Sequence, residues 1–557
     1  MTTRRTRRTR LVAVLVAFAA AALAASTGTG VPATADDAPL ARATYATIEG
    51  TGSTWSELIV KQWISDVDAN GIKVVYTGGG SSKGRKDFSQ NTTDFAISEI
   101  PYQGKDETGQ ADTSNGRDYA YLPLVAGGTA FTYQLKVGNT MVKNLRLSGE
   151  TLAKIFTNQI TKWDDPAITA DNNGRSFPGT KIVPVVRSDG SGTTAQFTTW
   201  LDKAYPSIWR PYFGRSGLTS YYPKKGDVMI AQSGSDQVMN TVSGFAGNGT
   251  IGYVEYSYPL DKGYPVVKVL NKGGYYVEPT QYNTAVALTK AQINSNRSDP
   301  TKYLTQILDN VYTNPDPRAY PISSYSYMLI PTGADDPRMT TAKRQSLADF
   351  VYYSLCTGQT KAGAFGYSSL PLNLVQAGFS QIAELKKADP AVNLTNRDVK
   401  SCNNPTFDGK NLDKNLLAEK APQPAACDKQ GEGPCGTETG TGKPSTDDPA
   451  APGTTDAPSG TSTDPADTGG TADPGAGGAA GPPGGAAVNA AGPPGSSSGT
   501  STTPVGGSDE AVYASSTTLD DRAPDSKTFG WVAVFLLVAL ILLPGLTTAR
   551  VRRRGNP

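Results

Sequence analysis

The sequence predicts an α/β fold with mostly parallel sheets, and two observations lead to this prediction. Apolar strand-like segments alternate with amphipathic helical segments through the first part of the chain, as is typical of the α/β class. Three strand–helix junctions, at 49–54, 77–84 and 187–193, are rich in glycine, serine and threonine. Because ligands bind at the carboxyl ends of strands in such sheets, all three junctions are expected beside a ligand.

The composition excludes several kinds of active site. The 557 residues include no histidine, which removes Ser-His-Asp and Cys-His nucleophilic sites and histidine-liganded zinc sites. The 52 basic and 50 acidic residues leave a net charge of +2, so no nucleic-acid partner is indicated. We therefore predict a protein that is not an enzyme and needs neither a metal nor another cofactor.

Both ends of the chain indicate export. Arginines precede an apolar run at 11–25 and a small-residue cleavage site, so residues 1–35 are expected to be a secretory signal peptide. Residues 528–549 are almost wholly apolar and precede a basic tail at 550–557. This pattern predicts one transmembrane helix with a cytoplasmic C-terminus. The protein is thus expected on the cell membrane with its N-terminal domain outside.

The segment 407–527 differs in composition from the rest of the chain. It is rich in Pro, Gly, Ser and Thr and has few large apolar residues. Such a segment cannot bury enough apolar surface to fold. We expect a disordered stalk that holds the folded domain away from the membrane.

Four cysteines follow in the exported part of the chain. An even number in an oxidising compartment favours disulfides over metal ligands or catalytic thiols. The favoured pairing joins Cys356 to Cys402 and Cys427 to Cys435. The other two connectivities stay open at this point.

The third junction carries the strongest candidate site. An apolar strand at 181–186 leads into Arg187, and Ser191, Gly192 and Thr193 fall at the N-terminus of a predicted helix. Free backbone N–H groups and the helix dipole favour an anion there, and a guanidinium suits a tetrahedral oxyanion. An ordinary turn capped by Ser191 is the alternative.

Two further junctions and one carboxylate add weaker signals. The first junction ends at Thr54 and Trp55, where a helical pattern begins, and three glycines of the second junction precede Ser81. A strand at 93–98 ends in Glu99. Alone, these features would be a tight connection, a surface loop and a solvated strand end.

Two apolar segments look like connections between lobes of the fold. The first covers 121–135 and the second covers 266–277. Between and around them, strand and helix patterns continue to alternate. Each segment is interpreted as a crossing of the chain between domains.

Several motifs in this order resemble the PstS family, the phosphate-binding proteins of high-affinity phosphate ABC importers. The motifs that carry the resemblance are KWDD at 162–165, RSDGSGT at 187–193, GYVEY at 252–256, YPI at 320–322 and YSSLP at 367–371. The resemblance implies a two-lobed, periplasmic-binding-protein-like fold of type II with the ligand cleft between the lobes. On this plan the first lobe covers 36–124 and 271–406, and the second covers 125–270.

The resemblance also implies a phosphate site, carried over position by position. The residues that match the family's ligand-binding positions are Thr54, Trp55, Ser81, Glu99, Arg187, Ser191, Gly192 and Thr193. Asp189 matches the residue that holds the arginine. Glu99 stands where the family usually has aspartate, and this carboxylate would accept a hydrogen bond from the ligand's own proton.

The function implied is capture of inorganic phosphate outside the cell for a phosphate ABC permease. The receptor is expected to be a monomer that is anchored through its C-terminal helix. Rival hypotheses are a surface phosphate sensor or scavenger, a receptor for another oxyanion, and a structural surface protein that kept the fold. A phosphatase is disfavoured because the sequence offers neither a nucleophile with a base nor a metal cluster.

Overall fold

The computed structural model describes residues 45–106, 109–399, 402–407 and 414–440. The predicted signal peptide at 1–35 and the predicted transmembrane helix at 528–549 lie outside these residues. Within the described ranges, no helix is long and apolar enough to cross a membrane.

The strands fall into one large sheet and several small ones. In chain order they are β1 Ile48–Gly52, β2 Val74–Gly78, β3 Phe95–Ser98, β4 Gly104–Lys105, β5 Ala111–Asp112, β6 Tyr119–Tyr133, β7 Lys136–Val137, β8 Thr140–Met141, β9 Arg146–Leu147, β10 Val183–Arg187, β11 Ile230–Gln232, β12 Thr250–Glu255, β13 Lys268–Leu270, β14 Tyr276–Val277, β15 Gln292–Ile293, β16 Gln306–Ile307 and β17 Ser323–Pro331.

The large sheet has eight strands in the order β11-β10-β12-β6-β17-β3-β1-β2. Its outer pairs are parallel, as the alternating sequence pattern predicts. The three central pairings, β12 with β6, β6 with β17 and β17 with β3, are antiparallel. The sheet is therefore mixed rather than mostly parallel, because β6 and β17 run against the strands on either side. We call β17-β3-β1-β2 the first half and β11-β10-β12 the second half.

Helices follow most of the strands and cover the sheets. The α-helices are Glu57–Asp68, Ser81–Ser89, Gly149–Phe156, Pro166–Asp171, Gly192–Ala204, Pro206–Phe213, Gly234–Ser243, Ser257–Lys262, Gln281–Leu288, Asp309–Tyr312, Thr341–Leu355, Leu372–Ala388 and Leu416–Lys420. Short 3₁₀ helices occupy Thr357–Lys361, Gly363–Phe365 and Ala426–Asp428.

One long strand connects the two halves of the sheet. The earlier part of β6, residues 119–128, pairs with β17, and its later part, 129–133, pairs with β12. The chain passes near the same point again at 266–277, where Val266 forms a β-bridge with Thr132 of β6. The two apolar segments predicted to be crossings therefore lie side by side.

An aromatic cluster anchors the helix Gly192–Ala204 to the second half. The ring of Phe197 lies with its centroid 5.3 Å from that of Phe131, 5.1 Å from Phe156 and 4.9 Å from Tyr253. Edge-to-face and tilted aromatic pairs at such distances add to the free energy of burial. Since Phe197 lies about one turn into the helix, this packing fixes the direction in which the helix N-terminus points.

The cysteine pairing favoured from the sequence is confirmed. Cys356 is bonded to Cys402, and Cys427 is bonded to Cys435. The second bond lies in a segment that we call the strap, residues 414–440. The sequence placed the start of the stalk at 407, whereas packed structure continues to residue 440.

Polar contacts hold the strap against the chain near the second crossing. The buried Asp428 carboxylate lies 2.6 Å from Lys268 Nζ, and Arg146 donates to the carbonyl of Cys427 at 3.0 Å. The hydroxyl of Thr439 donates to the carbonyl of Val266 at 2.6 Å. The disulfide and these specific contacts compensate for the few large apolar residues, which is why composition alone misjudged this segment.

Removal of the strap disulfide should loosen the strap. The disulfide closes a short loop with a sequence separation of 8. Because it restricts the chain in the open state, it stabilises the packed strap by roughly 2–3 kcal/mol. In the variant Cys427→Ser/Cys435→Ser, we expect tryptic cleavage after Lys429 to become at least about tenfold faster than in the native chain. Mass spectrometry of the fragments measures this rate.

The matched control is Cys356→Ser/Cys402→Ser, which removes a disulfide that does not enclose Lys429. It should leave Lys429 as slowly cleaved as in the native chain. Equal cleavage rates in the native chain and the strap variant would show that the strap does not depend on its disulfide.

Candidate ligand-binding site

Polar turns at the ends of neighbouring strands converge between the two halves of the sheet. In the first half, Gly52 at the end of β1 pairs in register with Gly78 of β2 and with Ile97 of β3. In the second half, Arg187 at the end of β10 pairs with Gln232 of β11. The turns that follow these strands face one another, and their polar side chains are buried: Ser53, Thr54, Ser81, Glu99, Arg187, Ser191, Thr193 and Ser235.

Arg187 is the cation of this site, and Asp189 holds it. The Arg187 Nε donates to one Asp189 carboxylate oxygen at 2.7 Å, and Nη2 donates to the other at 2.5 Å. Nη2 also donates to the Thr54 hydroxyl at 3.0 Å, and Nη1 donates to the Ser235 hydroxyl at 3.1 Å. Burial acts to lower the pKa of Arg187, but the charge of Asp189 offsets it and the net shift is upward.

Glu99 is the buried carboxylate of the first half, with 1% of its surface exposed. One oxygen accepts a hydrogen bond from the Ser53 hydroxyl, and the other accepts one from the Ser81 hydroxyl at 2.6 Å. Burial raises the pKa of Glu99, although these hydroxyls and the charge of Arg187 act in the opposite direction. Glu99 is thus a buried carboxylate whose two oxygens are each held by a hydroxyl donor.

The N-terminus of the helix Gly192–Ala204 lies between these two charged groups. The Ser191 hydroxyl accepts from the N–H of Thr194 at 3.1 Å, so this side chain caps the helix. The N–H groups of Gly192 and Thr193 belong to the first turn, which has no acceptors within its own helix. The Thr193 hydroxyl lies 3.5 Å from Arg187 Nη1.

Glycines allow the turns of the two halves to interlock. A Cβ on Gly192 would lie 1.9 Å from a Glu99 oxygen and 2.3 Å from the Ser81 hydroxyl, and a Cβ on Gly190 would lie 2.4 Å from that of Ser82. The N–H of Ser82 donates to the carbonyl of Gly190 at 2.9 Å. We call this contact between the turns of the two halves the seam. Backbone therefore touches backbone and carboxylate directly, which no larger residue would permit.

The structure brings together all but one of the side chains that the sequence singled out. The exception is Trp55, whose ring is buried against Tyr367 at a centroid distance of 5.7 Å. The Tyr367 hydroxyl donates to the Trp55 carbonyl at 2.6 Å. Whether Trp55 uses its backbone N–H toward a ligand stays a prediction.

Two contributors to the site were missed in the sequence. Ser53 binds Glu99, and Ser235 binds Arg187 and Thr54. Ser235 follows the strand β11 and the left-handed Gly234, so its turn has the same strand, small residues and helix pattern as the three junctions that were recognised. This pattern was not recognised because the strand before it, β11, is short and largely exposed.

The described ranges contain no group of three or more Cys, Asp or Glu side chains placed to hold a metal ion. The polar groups that converge here are the Arg187 guanidinium with its partner Asp189, the Glu99 carboxylate, hydroxyls and backbone N–H groups. This set suits a small oxyanion that carries a proton, because most groups donate and one accepts.

Comparison with known proteins identifies the class and then the family. A model of the PBP superfamily domain matches residues 37–357. The phosphate-binding protein PstS of Xylella fastidiosa is 31% identical over 353 residues, which cover 63% of this chain and 89% of that protein. PstS of Methanocaldococcus jannaschii is 29% identical over 348 residues, covering 61% of this chain and 86% of that protein.

A crystal structure of the ancestral soluble variant of the human phosphate binding protein is also similar, with a TM-score of 0.47 and 20% identity over 60% of this chain and 93% of that chain. From the superfamily match and the sequence relatives, the chain belongs to the PstS family of phosphate-binding proteins.

Substitution of Gly192 should separate the two halves at the seam. In Gly192→Ala the added Cβ cannot fit beside Glu99, so the hydrogen bond from Ser82 to Gly190 should break. We expect amide hydrogen exchange in peptides covering 79–84 to become at least about tenfold faster. Mass-spectrometric hydrogen exchange measures the change.

Gly436→Ala is the matched control, since a Cβ there meets nothing within 4 Å. Its exchange at 79–84 should equal that of the native chain. Unchanged exchange in Gly192→Ala would contradict the close packing of the two turns.

Proposed function

We propose that this chain is an exported solute-binding protein that captures inorganic phosphate between its two halves and delivers it to an ABC permease. Membership of the PstS family supports this function, because the relatives compared above are named phosphate-binding proteins. The observation that carries the proposal is the pairing of one buried guanidinium, Arg187, with one buried carboxylate, Glu99, among neutral donors. Binding, rather than catalysis, is the activity of this family.

The donor groups account for attraction of the anion. Arg187 supplies one positive charge, and Asp189 neutralises part of it. The hydroxyls of Thr54 and Thr193 and the N–H groups of the first helical turn supply neutral donors, while the Ser81 hydroxyl donates to Glu99 and keeps lone pairs for the ligand's proton. Neutral donors around a single cation stabilise a dianion by directed hydrogen bonds, so the ligand can still be released to a permease.

Glu99 accounts for the choice among oxyanions. Phosphate carries a proton near neutral pH and sulfate does not. A carboxylate accepts the proton of phosphate, whereas sulfate would face an unpaired like charge in a buried site. The longer Glu99 side chain, in place of the family's usual aspartate, remains compatible with this role because serine hydroxyls hold both of its oxygens.

Closure of two lobes would complete the site. We propose that the first lobe covers 36–124 and 271–406 and that the second covers 125–270, with β6 and the segment 266–277 as the connections. A ligand that contacts both lobes binds the closed form more tightly, and this difference supplies the free energy of closure. Thr54, Ser81 and Glu99 would then meet Arg187 and Thr193 only when the cleft is shut.

Export and attachment follow from the sequence at the two ends. We propose that 1–35 is removed as a signal peptide and that 528–549 anchors the chain in the cell membrane as a monomer, with 550–557 inside. The stalk would then follow the strap. This arrangement keeps the receptor beside a permease in the same membrane.

Calorimetric titration of the full-length chain tests the function. After removal of bound ligand by partial unfolding and refolding, phosphate should bind tightly and sulfate should give no measurable heat. Arg187→Ala should weaken phosphate binding by about 100-fold or more, because loss of a buried charged hydrogen-bond donor costs about 3 kcal/mol or more. A native chain that binds neither anion would refute the proposed function.

Substitution of Glu99 tests selectivity. Glutamine keeps the shape of the side chain but offers an N–H₂ donor, so Glu99→Gln should bind phosphate more weakly and admit sulfate. We expect the ratio of phosphate to sulfate affinity to fall by at least about 100-fold. Competition calorimetry measures this ratio.

Glu255→Gln is the matched control. Glu255 is equally buried, and burial raises its pKa well above its ordinary value, but its carboxylate lies beside Gly127 rather than at the turns. Selectivity should stay as in the native chain. A ratio that is unchanged in Glu99→Gln would mean that Glu99 does not face the ligand.

A further inference from the structure

Another helix of the second half, which the sequence analysis did not single out, also has its N-terminus at the site. The helix Gly234–Ser243 begins directly after β11, and Gly234 adopts a left-handed conformation with φ of 80°. The N–H of Gly234 donates to a carboxylate oxygen of Asp189 at 3.0 Å. The start of this helix therefore braces the same carboxylate that holds Arg187.

Ser235 is the side chain that this helix sends into the site, and none of its surface is exposed. Its hydroxyl accepts a hydrogen bond from Arg187 Nη1 at 3.1 Å. The same hydroxyl lies 3.1 Å from the Thr54 hydroxyl, and the Ser235 N–H donates to that oxygen at 3.3 Å. Since Thr54 follows β1, Ser235 joins the cation of the second half to a ligand-binding residue of the first.

A count of protons shows what the two hydroxyls can do. A hydroxyl has one proton to donate and two lone pairs to accept with. The Thr54 oxygen accepts from Arg187 Nη2 and from the Ser235 N–H, so both lone pairs are used. In their mutual contact Thr54 must therefore donate, and Ser235 must accept.

The lone pairs of the Ser235 hydroxyl are then also fully used, as those of Thr54 are. It accepts from Arg187 Nη1 and from Thr54, which uses both of its lone pairs. One proton of the pair is left over from these contacts and needs an acceptor. If Thr54 turned its proton to a ligand instead, the Ser235 proton would still have no acceptor within the pair, so the pair supplies at least one donor.

We propose that Ser235 is a positioning residue of the phosphate site. It holds one terminal nitrogen of Arg187 in place and, together with Thr54, directs one hydroxyl proton at an unprotonated oxygen of the ligand. This inference rests on the proposed function, and it adds a second-half residue that the sequence motifs did not include. The ligand oxygen at this hydroxyl pair would be the one that carries no proton, while Glu99 accepts from the one that does.

The helix itself does not depend on the Ser235 hydroxyl. The N-cap residue is Ser233, which is exposed and makes no capping hydrogen bond through its side chain. Loss of the Ser235 hydroxyl should therefore change the site more than the stability of the helix. This difference separates a positioning role from a structural one.

Phosphate titration of full-length variants tests the proposal. Ser235→Ala should weaken phosphate binding by about tenfold to 100-fold, as expected for loss of a hydrogen bond to a charged group. Ser235→Thr keeps a hydroxyl and should restore most of the affinity. Ser233→Ala, in the same turn, should bind as the native chain does.

A second background distinguishes positioning from general damage. Arg187→Lys removes the guanidinium, including the Nη1 nitrogen that donates to the Ser235 hydroxyl. Adding Ser235→Ala to Arg187→Lys should then cost at least about threefold less in affinity than it costs in the native background, since only the donated proton and no longer the contact with the guanidinium is lost. The melting temperature of each variant is recorded alongside.

The outcomes separate the two proposals. If the native chain binds phosphate and Ser235→Ala binds equally well, the role of Ser235 is refuted while the function stands. An equal loss in the native and Arg187→Lys backgrounds, with a lowered melting temperature, would also refute it, because that result describes a structural residue. Failure of the native chain to bind phosphate would refute the proposed function itself.

Discussion

The buried ion pair between Arg187 and Asp189 is the interaction on which the rest of the site depends. Removing a guanidinium from water costs several kcal/mol unless a partner and further hydrogen bonds compensate for it. Asp189 binds it through two oxygens, and Gly234 in turn binds Asp189. The same guanidinium contacts Thr54 across the seam. Asp189 and Gly234 thus fix the cation within the second half, which lowers the entropic cost of binding.

Much of this site could be predicted because its chemistry is local in sequence. Arg187, Asp189 and Ser191 lie within five residues, and a strand before them and a helix after them determine where they point. The cysteine pairing was predictable for a similar reason, since the bond between Cys427 and Cys435 closes a short loop. Local spacing constrains geometry strongly when regular structure flanks it.

Other features depend on contacts between distant parts of the chain, which no local pattern reports. The antiparallel centre of the sheet arises because β6 pairs with β17 and β12, which follow far along the sequence. Ser235 lies beside Arg187 because the strand before it, β11, pairs in register with β10. The strap at 414–440 has the composition of a linker, yet a disulfide and the buried pair of Asp428 with Lys268 fold it onto the domain. The composition of a segment indicates how much apolar surface it can bury, but it does not reveal specific contacts such as these.

The central claim is that one phosphate ion lies between Arg187 and Glu99. A crystal structure of the native chain grown with phosphate tests it most directly. We predict tetrahedral density within hydrogen-bond distance of the Arg187 guanidinium, the Glu99 carboxylate, the Ser81 hydroxyl and the first-turn N–H groups of the helix Gly192–Ala204. Density for phosphate elsewhere on the molecule, with these groups bonded only to one another, would contradict the account.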